Sequence, residues 1–437
     1  MKLSLREEEY DILIKKIQSQ TQSPFGSHLG GVLHARQPIH TLYGGAQLWT
    51  FNSMAKVAAL AQASFQGYGS SLGDLSALLD ISGEDQIWLE KAILKTQEKL
   101  RKEPVEDVRV DFEDGYGLRS SEEEDADARR SALESVKAME QGLLPTFFGI
   151  RVKALSLELA RRSLRTLDIF VSTFLRASSG KLPDHFVVTL PKVESKEQVQ
   201  VLLDALTALE KICKIPRGLI RCEFMVETPL AVLDRQGSNP LRAWVEMSQG
   251  RCRGLHIGTY DFTASCGVSA ENQAMHHSLC ILAKNLVQLS CFDLPVWFAD
   301  GATTTLPVPP HKGAQLTKSQ AEENKNLVQR AWKESFFNIQ RSLSQGYYQG
   351  WDLHPAQIPI RYLATYYFLW KDLKNLVGRF QHFLNQKEQA SRLGASFDDA
   401  ATGRGLVNSL LRAYYCQAVS AEELQELGLK NLNVLSG

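Results

Sequence analysis

From about residue 38 onward, short apolar runs rich in β-branched and aromatic residues alternate with longer stretches of helical periodicity. The runs are IHTLYGG (39–45), VRVDFED (108–114), FFGIRVK (147–153), HFVVTLPK (185–192), CEFMVET (222–228), CRGLHIGTYD (252–261), LPVWFAD (294–300) and GWDLHP (350–355). Short, nearly continuous apolar runs are what a parallel sheet covered by helices requires. Between them, 121–140 opens with Ser121 and three glutamates, acids that the helix macrodipole favours at an N-terminus. Residues 156–176 carry Leu157, Leu159, Leu164, Leu167, Phe170, Val171 and Phe174, and 196–211 and 271–289 are similar. Eight β-then-α units in series predict an α/β chain folded as a (β/α)8 TIM barrel. An open doubly wound sheet is disfavoured, because no glycine-rich dinucleotide turn follows the first run.

Several segments fall outside the rhythm. Residues 4–20 predict an amphipathic helix with Leu5, Tyr10, Ile12, Leu13 and Ile17 on one side, followed by a Ser/Gly/Pro/His stretch. The gaps 46–107 and 301–349 are too long for one helix and predict insertions, the second a Pro-rich loop followed by a helix over 319–344. After Trp370 the chain reads as helical to its end, including 404–416 and 421–429. The expected organisation is an N-terminal helix and loop (1–34), a catalytic barrel (35–375) and a C-terminal helical extension (376–437). The loop 301–318 and the C-terminal helices are expected to cover the barrel mouth, or a neighbour's mouth in a homo-oligomer.

Composition narrows the partners. The chain has 437 residues, long enough for two or three domains or for one large barrel with additions. Basic and acidic residues balance at 49 each, which argues against a general nucleic-acid binder. No apolar run approaches the roughly 20 residues that span a bilayer, and the first residues do not resemble a secretory signal. The seven cysteines, at 213, 222, 252, 266, 280, 291 and 416, form no CxxC pair. They read as reduced, mostly buried thiols of a cytoplasmic protein, with Cys266 an inert buried one.

Barrel enzymes build their sites at the C-terminal ends of the strands. Here those ends carry Asp111, Glu113 and Asp114; Arg151; Lys192, then Glu194; Glu227; Asp261; Asp300; and His354. A single charge past a strand is usually a solvated loop residue or a helix cap. Charges at most ends of one edge would converge on one mouth. Glu227 and Asp261, on adjacent strands, would repel without a cation between them. Oxygen-only ligands suit Mg²⁺ or Mn²⁺ better than zinc. The fork of donors on Arg151 matches a carboxylate or an enolate. Metal and arginine together would stabilise the enolate of a pyruvate- or acetate-like fragment, the chemistry of carbon–carbon cleavage or formation beside a carbonyl.

The same segments resemble the citrate lyase β-subunit / HpcH–HpaI aldolase family. VRVDFEDGYG resembles its LEDAV-type segment, FFGIRVK its arginine strand, and VVTLPKVES its LPKVE segment. MVETPLAVLD resembles its IET metal segment, LHIGTYDFTASCG its second metal segment, and GWDLHPAQI its late HP.Q segment. The six motifs keep the family's order over about residues 108–360. The resemblance implies a barrel of the phosphoenolpyruvate/pyruvate superfamily with a Mg²⁺-type ion. Glu227 and Asp261 would be ligands and Arg151 the substrate arginine. Glu113 and Asp114 would be second-layer or acid/base groups, with Lys192 and His354 beside the substrate. The substrate would be a small 2-oxo acid or a CoA ester. Two other readings compete. One is a phosphoenolpyruvate-using phosphotransferase, which would need an ATP site or phosphohistidine; there is no Walker loop, and His354 is the lone strand-end histidine. The other is a non-catalytic binding barrel, against which the Glu227/Asp261/Arg151 set speaks.

Overall fold

The computed structural model describes residues 36–429, apart from 70, 314, 386–390, 394–395 and 399, so the expected helix over 4–20 lies outside the described residues. All eight runs form strands: β1 (His40–Gly45), β2 (Asp107–Asp111), β3 (Phe147–Arg151), β4 (Phe186–Leu190), β5 (Arg221–Val226), β6 (Cys252–Ile257), β7 (Trp297–Ala302) and β8 (Gln349–Asp352). They close in sequence order, with β8 pairing β1, into a parallel (β/α)8 TIM barrel.

The registers explain why the runs look apolar. Val108, Val110, Phe148, Ile150, Val188, Phe224 and Leu255 alternate along their strands on the face that meets the helices, and all are buried. The other face lines the barrel and is charged. Arg109 donates from Nε and Nη2 to both oxygens of Glu223 at 2.8 and 2.9 Å, and from Nη1 to Asp107. Thr189 donates to Glu223 and Thr41 to Asp107, while His256 Nε2 lies 3.2 Å from Glu223. Trp351 Nε1 donates to His256 Nδ1, which leaves the imidazole proton on Nε2 facing Glu223. Burial would raise the Glu223 carboxyl, but Arg109 and then His256 outweigh it and hold Glu223 well below the usual range.

Side chains start the helices where the sequence marks them. Ser120 caps α4 (Ser121–Glu140) by accepting from Glu123 N–H, and Ser195 and Gln198 form a capping box on α6 (Lys196–Cys213). Between these, α5 (Ala160–Ala177) buries Phe170, Val171 and Phe174 against the sheet. The first insertion holds α1 (Ser53–Tyr68), α2 (Leu72–Leu79) and α3 (Gln86–Lys102). The later helices are α7 (Pro229–Val232), α8 (Leu241–Met247), α9 (Thr259–Ser265), α10 (Ser278–Cys291), α11 (Lys318–Ser344), α12 (Ile358–Asn385), α13 (Ala400–Tyr415) and α14 (Ala421–Glu426). Thr317 and Gln320 box the start of α11. No described helix is long and apolar enough to cross a membrane.

Two expectations for the C-terminal region change. The region is not helical throughout, because a short antiparallel hairpin pairs Ser391–Leu393 with Ser396–Asp398. Nor do α13 and the following turn cover this chain's own C-terminal barrel mouth. Arg412 reaches Gln37, just before β1, and stacks on Tyr348, just before β8. Tyr366 and Trp370 of α12 donate to the Cys416 and Ala418 carbonyls. These contacts lie at the strands' N-terminal end. Helix α12 itself passes residue 376 without a break.

The Arg109–Glu223 pair makes the fold testable. Arg109→Met would leave Glu223 and Asp107 buried without their guanidinium, which typically costs about 3–5 kcal/mol. Urea unfolding of this variant should show a lower midpoint at unchanged slope; wild-type stability would show that the network contributes nothing.

Candidate active site

At the opposite rim, β2, β3, β4 and β5 deliver charges to one mouth. Glu227 follows β5 directly and is 1% exposed. Its Oε1 accepts the Lys192 backbone N–H at 2.7 Å. On its other side Gly258 leaves no room to spare: a Cβ there would collide with the Glu227 side chain. Thr228 Oγ1 donates to the Val193 carbonyl at 2.7 Å and ties this loop to the one after β4. Lys192 adopts a left-handed backbone, φ 49°, unusual for a residue with a side chain. That conformation accompanies two roles at once, with its N–H on Glu227 and its ammonium on Glu113. The ammonium also lies 3.3 Å from Asp114 and 3.4 Å from Asp261.

Arg151 ends β3 and is 5% exposed. Its Nε and Nη2 donate to the two oxygens of Asp111 at 2.7 and 2.6 Å. The bidentate fork is therefore already engaged within the protein, and the Nη1 edge faces Glu113 at 3.2 Å and Asp114 at 3.8 Å. The ring of Tyr43, on β1, lies beneath the guanidinium at 4.7 Å. Gly115 completes the turn, because its N–H donates to Asp111 Oδ2 and a Cβ there would collide with the same oxygen.

Of the residues expected at the mouth, the structure gathers Asp111, Glu113, Asp114, Arg151, Lys192, Glu227 and Asp261. Asp261 sits not on β6 but in the first turn of α9, with its side chain 43% exposed. Asp300 is a correction. It shares the outward parity of Phe298 and pairs, fully buried, with Lys284 of α10 at 2.9 Å and Ser342 of α11. Glu194 is exposed, and only its backbone N–H is engaged, on Gln198 of the capping box. His354 caps the short turn Pro355–Gln357, with Nδ1 accepting from Ala356 N–H, and makes no described contact with the acidic cluster. Cys266 is exposed at the end of α9 rather than buried; the other cysteines are free, and all but Cys213 are buried. Sequence reading missed Tyr43 and Gly258. Alternation along β1 assigns Tyr43 to the barrel interior, whereas nothing local marks Gly258 apart from the Glu227 side chain it must admit.

Five carboxylates thus face two cations. Burial, above all, lifts the Glu227 carboxyl to about 8; Lys192 and Arg151 pull it down, and Asp261 pushes it further up. In the adjacent pair, burial raises Glu113 against the pull of Arg151. Asp114 is also pushed up by burial, but Glu113, Arg151 and Lys192 bring it below its ordinary value. Among the described residues, no group of three or more His, Cys, Asp or Glu side chains is arranged around a metal position. The donor chemistry of Glu227 and Asp261 is that which suits a hard divalent ion. Both donors are oxygens, one is a buried carboxylate short of positive charge, and the exposed side of Asp261 leaves room for water or substrate oxygens. The Lys192 ammonium would have to turn away from Asp261 to admit it.

Because the folded value of Glu227 lies above its ordinary 4.5, its contribution to metal-free stability is full below that value and is lost as pH rises through about 8. With chelator present, Glu227→Gln should melt above wild type near pH ~9, with the gap closing towards pH ~5. A gap independent of pH would show that Glu227 is ionised throughout. Mg²⁺ binding near neutral pH should release about one proton, read by calorimetry in buffers of different ionisation enthalpy. Gly258→Ala should weaken Mg²⁺ binding by roughly tenfold or more by displacing Glu227; unchanged affinity would separate Glu227 from the ion.

The fold recurs in solved structures. A citrate lyase from Burkholderia xenovorans LB400 superposes with a TM-score of 0.55 at 16% identity, covering 90% of this chain and 96% of that one. CitE of Mycobacterium tuberculosis, in complex with magnesium, acetoacetate and coenzyme A, gives 0.49 at 15% identity over 87% of this chain and 99% of that one. A Haloferax volcanii malate synthase magnesium/glyoxylate complex gives 0.48 at 12% identity over 92% and 98%. At these identities the likeness concerns the barrel. No curated protein matches the sequence. A family model described as a domain of unknown function (DUF6986) matches residues 18–436, and the chain belongs to that family.

Proposed function

We propose that this protein is a divalent-metal-dependent carbon–carbon lyase or aldolase. Its substrate would be a 2-oxo acid or an acyl thioester such as a CoA ester, cleaved or formed through an enolate. The observation that carries the reading is the meeting of the Arg151 guanidinium, whose Nη1 edge faces Glu113 and donates to Met225 Sδ, with the buried carboxylate Glu227 and its neighbour Asp261 at the C-terminal mouth. The six sequence motifs that resemble those of the citrate lyase β-subunit / HpcH–HpaI aldolases support the same reaction class. The barrel shared with the Burkholderia citrate lyase is compatible with it.

In this reading Glu227 and Asp261 hold the ion, which when bound supplies Lewis-acid polarisation of the substrate carbonyl. Asp111 and the Tyr43 ring fix the plane of Arg151, so that its Nη1 edge is aimed before substrate arrives. A donor already in place costs little reorganisation when negative charge develops on the enolate oxygen. The Lys192 N–H orients Glu227, and its ammonium offsets the carboxylates around it. Glu113, between the Arg151 Nη1 edge and the Lys192 ammonium, is in this reading the acid/base group beside the reacting carbon. The Nδ1 of His354, the strand-end histidine that a phosphotransferase would use, accepts the Ala356 N–H.

The direct test is enolisation. Purified protein with Mg²⁺ in D₂O should exchange the methyl protons of pyruvate or acetyl-CoA, followed by NMR, and should cleave at least one member of a panel of citryl-CoA, malyl-CoA and 4-hydroxy-2-oxo acids. Neither exchange nor cleavage across the panel would overturn the reading. Arg151→Lys keeps the charge but loses the planar fork, so turnover should fall on the order of 10²–10³-fold. Near-normal turnover would assign the charge stabilisation to another group.

A further inference from the structure

The C-terminal mouth is charged on one side only. Its acids and their two cations come from β2 to β5 and the first turn of α9. The other half is built by β7, β8, β1 and the loops that leave them. Residues 43–52 read YGGAQLWTFN and 301–310 read GATTTLPVPP, with no charged side chain in either. In 349–360 the one carboxylate is Asp352, which shares the outward parity of Leu42 and is buried between Arg361 and His40. Burial pushes the His354 imidazole below its ordinary value and so towards its neutral form. Arg130 of α4 does touch this half, but it is paired with Asp127 and donates to the Ala46 and Trp49 carbonyls.

What this half offers instead is ring and aliphatic surface. Tyr43 aligns with the inward Arg109, and Trp351 with the inward Thr41, so both side chains point into the barrel. Their ring centroids lie 4.9 Å apart, and both residues are half-buried. Neither presents its polar atom to the mouth. Trp351 Nε1 is spent on His256 at 3.2 Å, and the Tyr43 hydroxyl is sealed from solvent. Leu353, two residues after Trp351 and just past β8, is 41% exposed, and Leu306, in the loop after β7, is 38% exposed.

A substrate that spans the mouth must rest its two ends on unlike surfaces. In the lyase reading, on which this inference rests, the 2-oxo acid end goes to Arg151 and the acids. The far end then meets rings and leucines. A second carboxylate there would give up water with no cation to receive it, because Arg151 and Lys192 already face five carboxylates. An alkyl or aryl group gains from the same transfer. We infer that the substrate is a 4-hydroxy-2-oxo acid with an uncharged, apolar tail that lies over Tyr43, Trp351 and Leu353. Cleavage breaks its C3–C4 bond and leaves the electron pair on C3 as the enolate. The 4-hydroxyl proton passes to Glu113 as C4 becomes the carbonyl carbon of an apolar aldehyde. A proton then returns from Glu113 to C3, and pyruvate is the second product.

Calorimetry on the full chain with Mg²⁺ compares 2-oxohexanoate with 2-oxoadipate, which have the same chain length and differ only at the far end. Neither carries the 4-hydroxyl, so binding is read without cleavage. The alkyl compound should bind roughly tenfold or more tightly than the dicarboxylate. Leu353→Arg, which puts a cation at the rim, should erase or reverse that preference. Trp351→Ala should weaken 2-oxohexanoate by roughly tenfold or more while moving pyruvate, which has no tail, far less. Equal or tighter binding of 2-oxoadipate by the wild type, or an unchanged preference in Leu353→Arg, would overturn the inference; the second arm stands if Trp351→Ala does not fold. Methyl-proton exchange of pyruvate by the wild type separates the two readings. Exchange with the wrong tail preference overturns the tail assignment alone, whereas neither exchange nor binding overturns the lyase reading with it.

Discussion

Carboxylates packed into a protein mouth cannot all stay ionised unless cations stand among them, and this barrel supplies too few. Asp111, Glu113, Asp114, Glu227 and Asp261 face Arg151 and Lys192. Much of the local backbone follows from accommodating that imbalance. Lys192 takes a left-handed conformation that accompanies the engagement of both its N–H and its ammonium. Gly258 gives up a side chain so that Glu227 can point inward, and Gly115 does the same for Asp111. What remains uncompensated is concentrated on Glu227, the most buried of the acids without a guanidinium partner.

The barrel interior a few residues below obeys the same rule with the opposite outcome. There Arg109 grips Glu223 with two hydrogen bonds and Asp107 with another, and His256, Thr189 and Thr41 complete the network. Every carboxylate has its donors, so the network is a structural floor. One barrel therefore carries a closed layer of charge beneath an open one. In the proposed reading, the open layer takes up a cation and an anionic substrate without dismantling the fold.

The strands were legible because their outward residues are almost all apolar, and the long helices because Ser120, Ser195 and Thr317 are recognisable caps. The inward charges were harder to read. VRVDFED reads as a nearly apolar run, yet the alternation of Asp107, Arg109 and Asp111 with Val108 and Val110 already assigns them to the other face. The same parity places Asp300 among the outer helices rather than at the mouth. His354 resembles a strand-end functional group because it follows β8, but His-Pro-Ala-Gln is a local capping pattern. The left-handed Lys192 and the close approach of Gly258 to Glu227 arise from contacts between loops distant in sequence, and no short motif encodes them.

The account turns on one claim, that the charge missing from this mouth is a divalent cation held by Glu227 and Asp261. Crystals soaked in Mn²⁺ and measured at the manganese absorption edge test it most directly. The account predicts an anomalous peak within bonding distance of both carboxylates, with the Lys192 ammonium turned away from Asp261. A saturating soak with no peak there, and the Lys192 ammonium still among the acids, would contradict it.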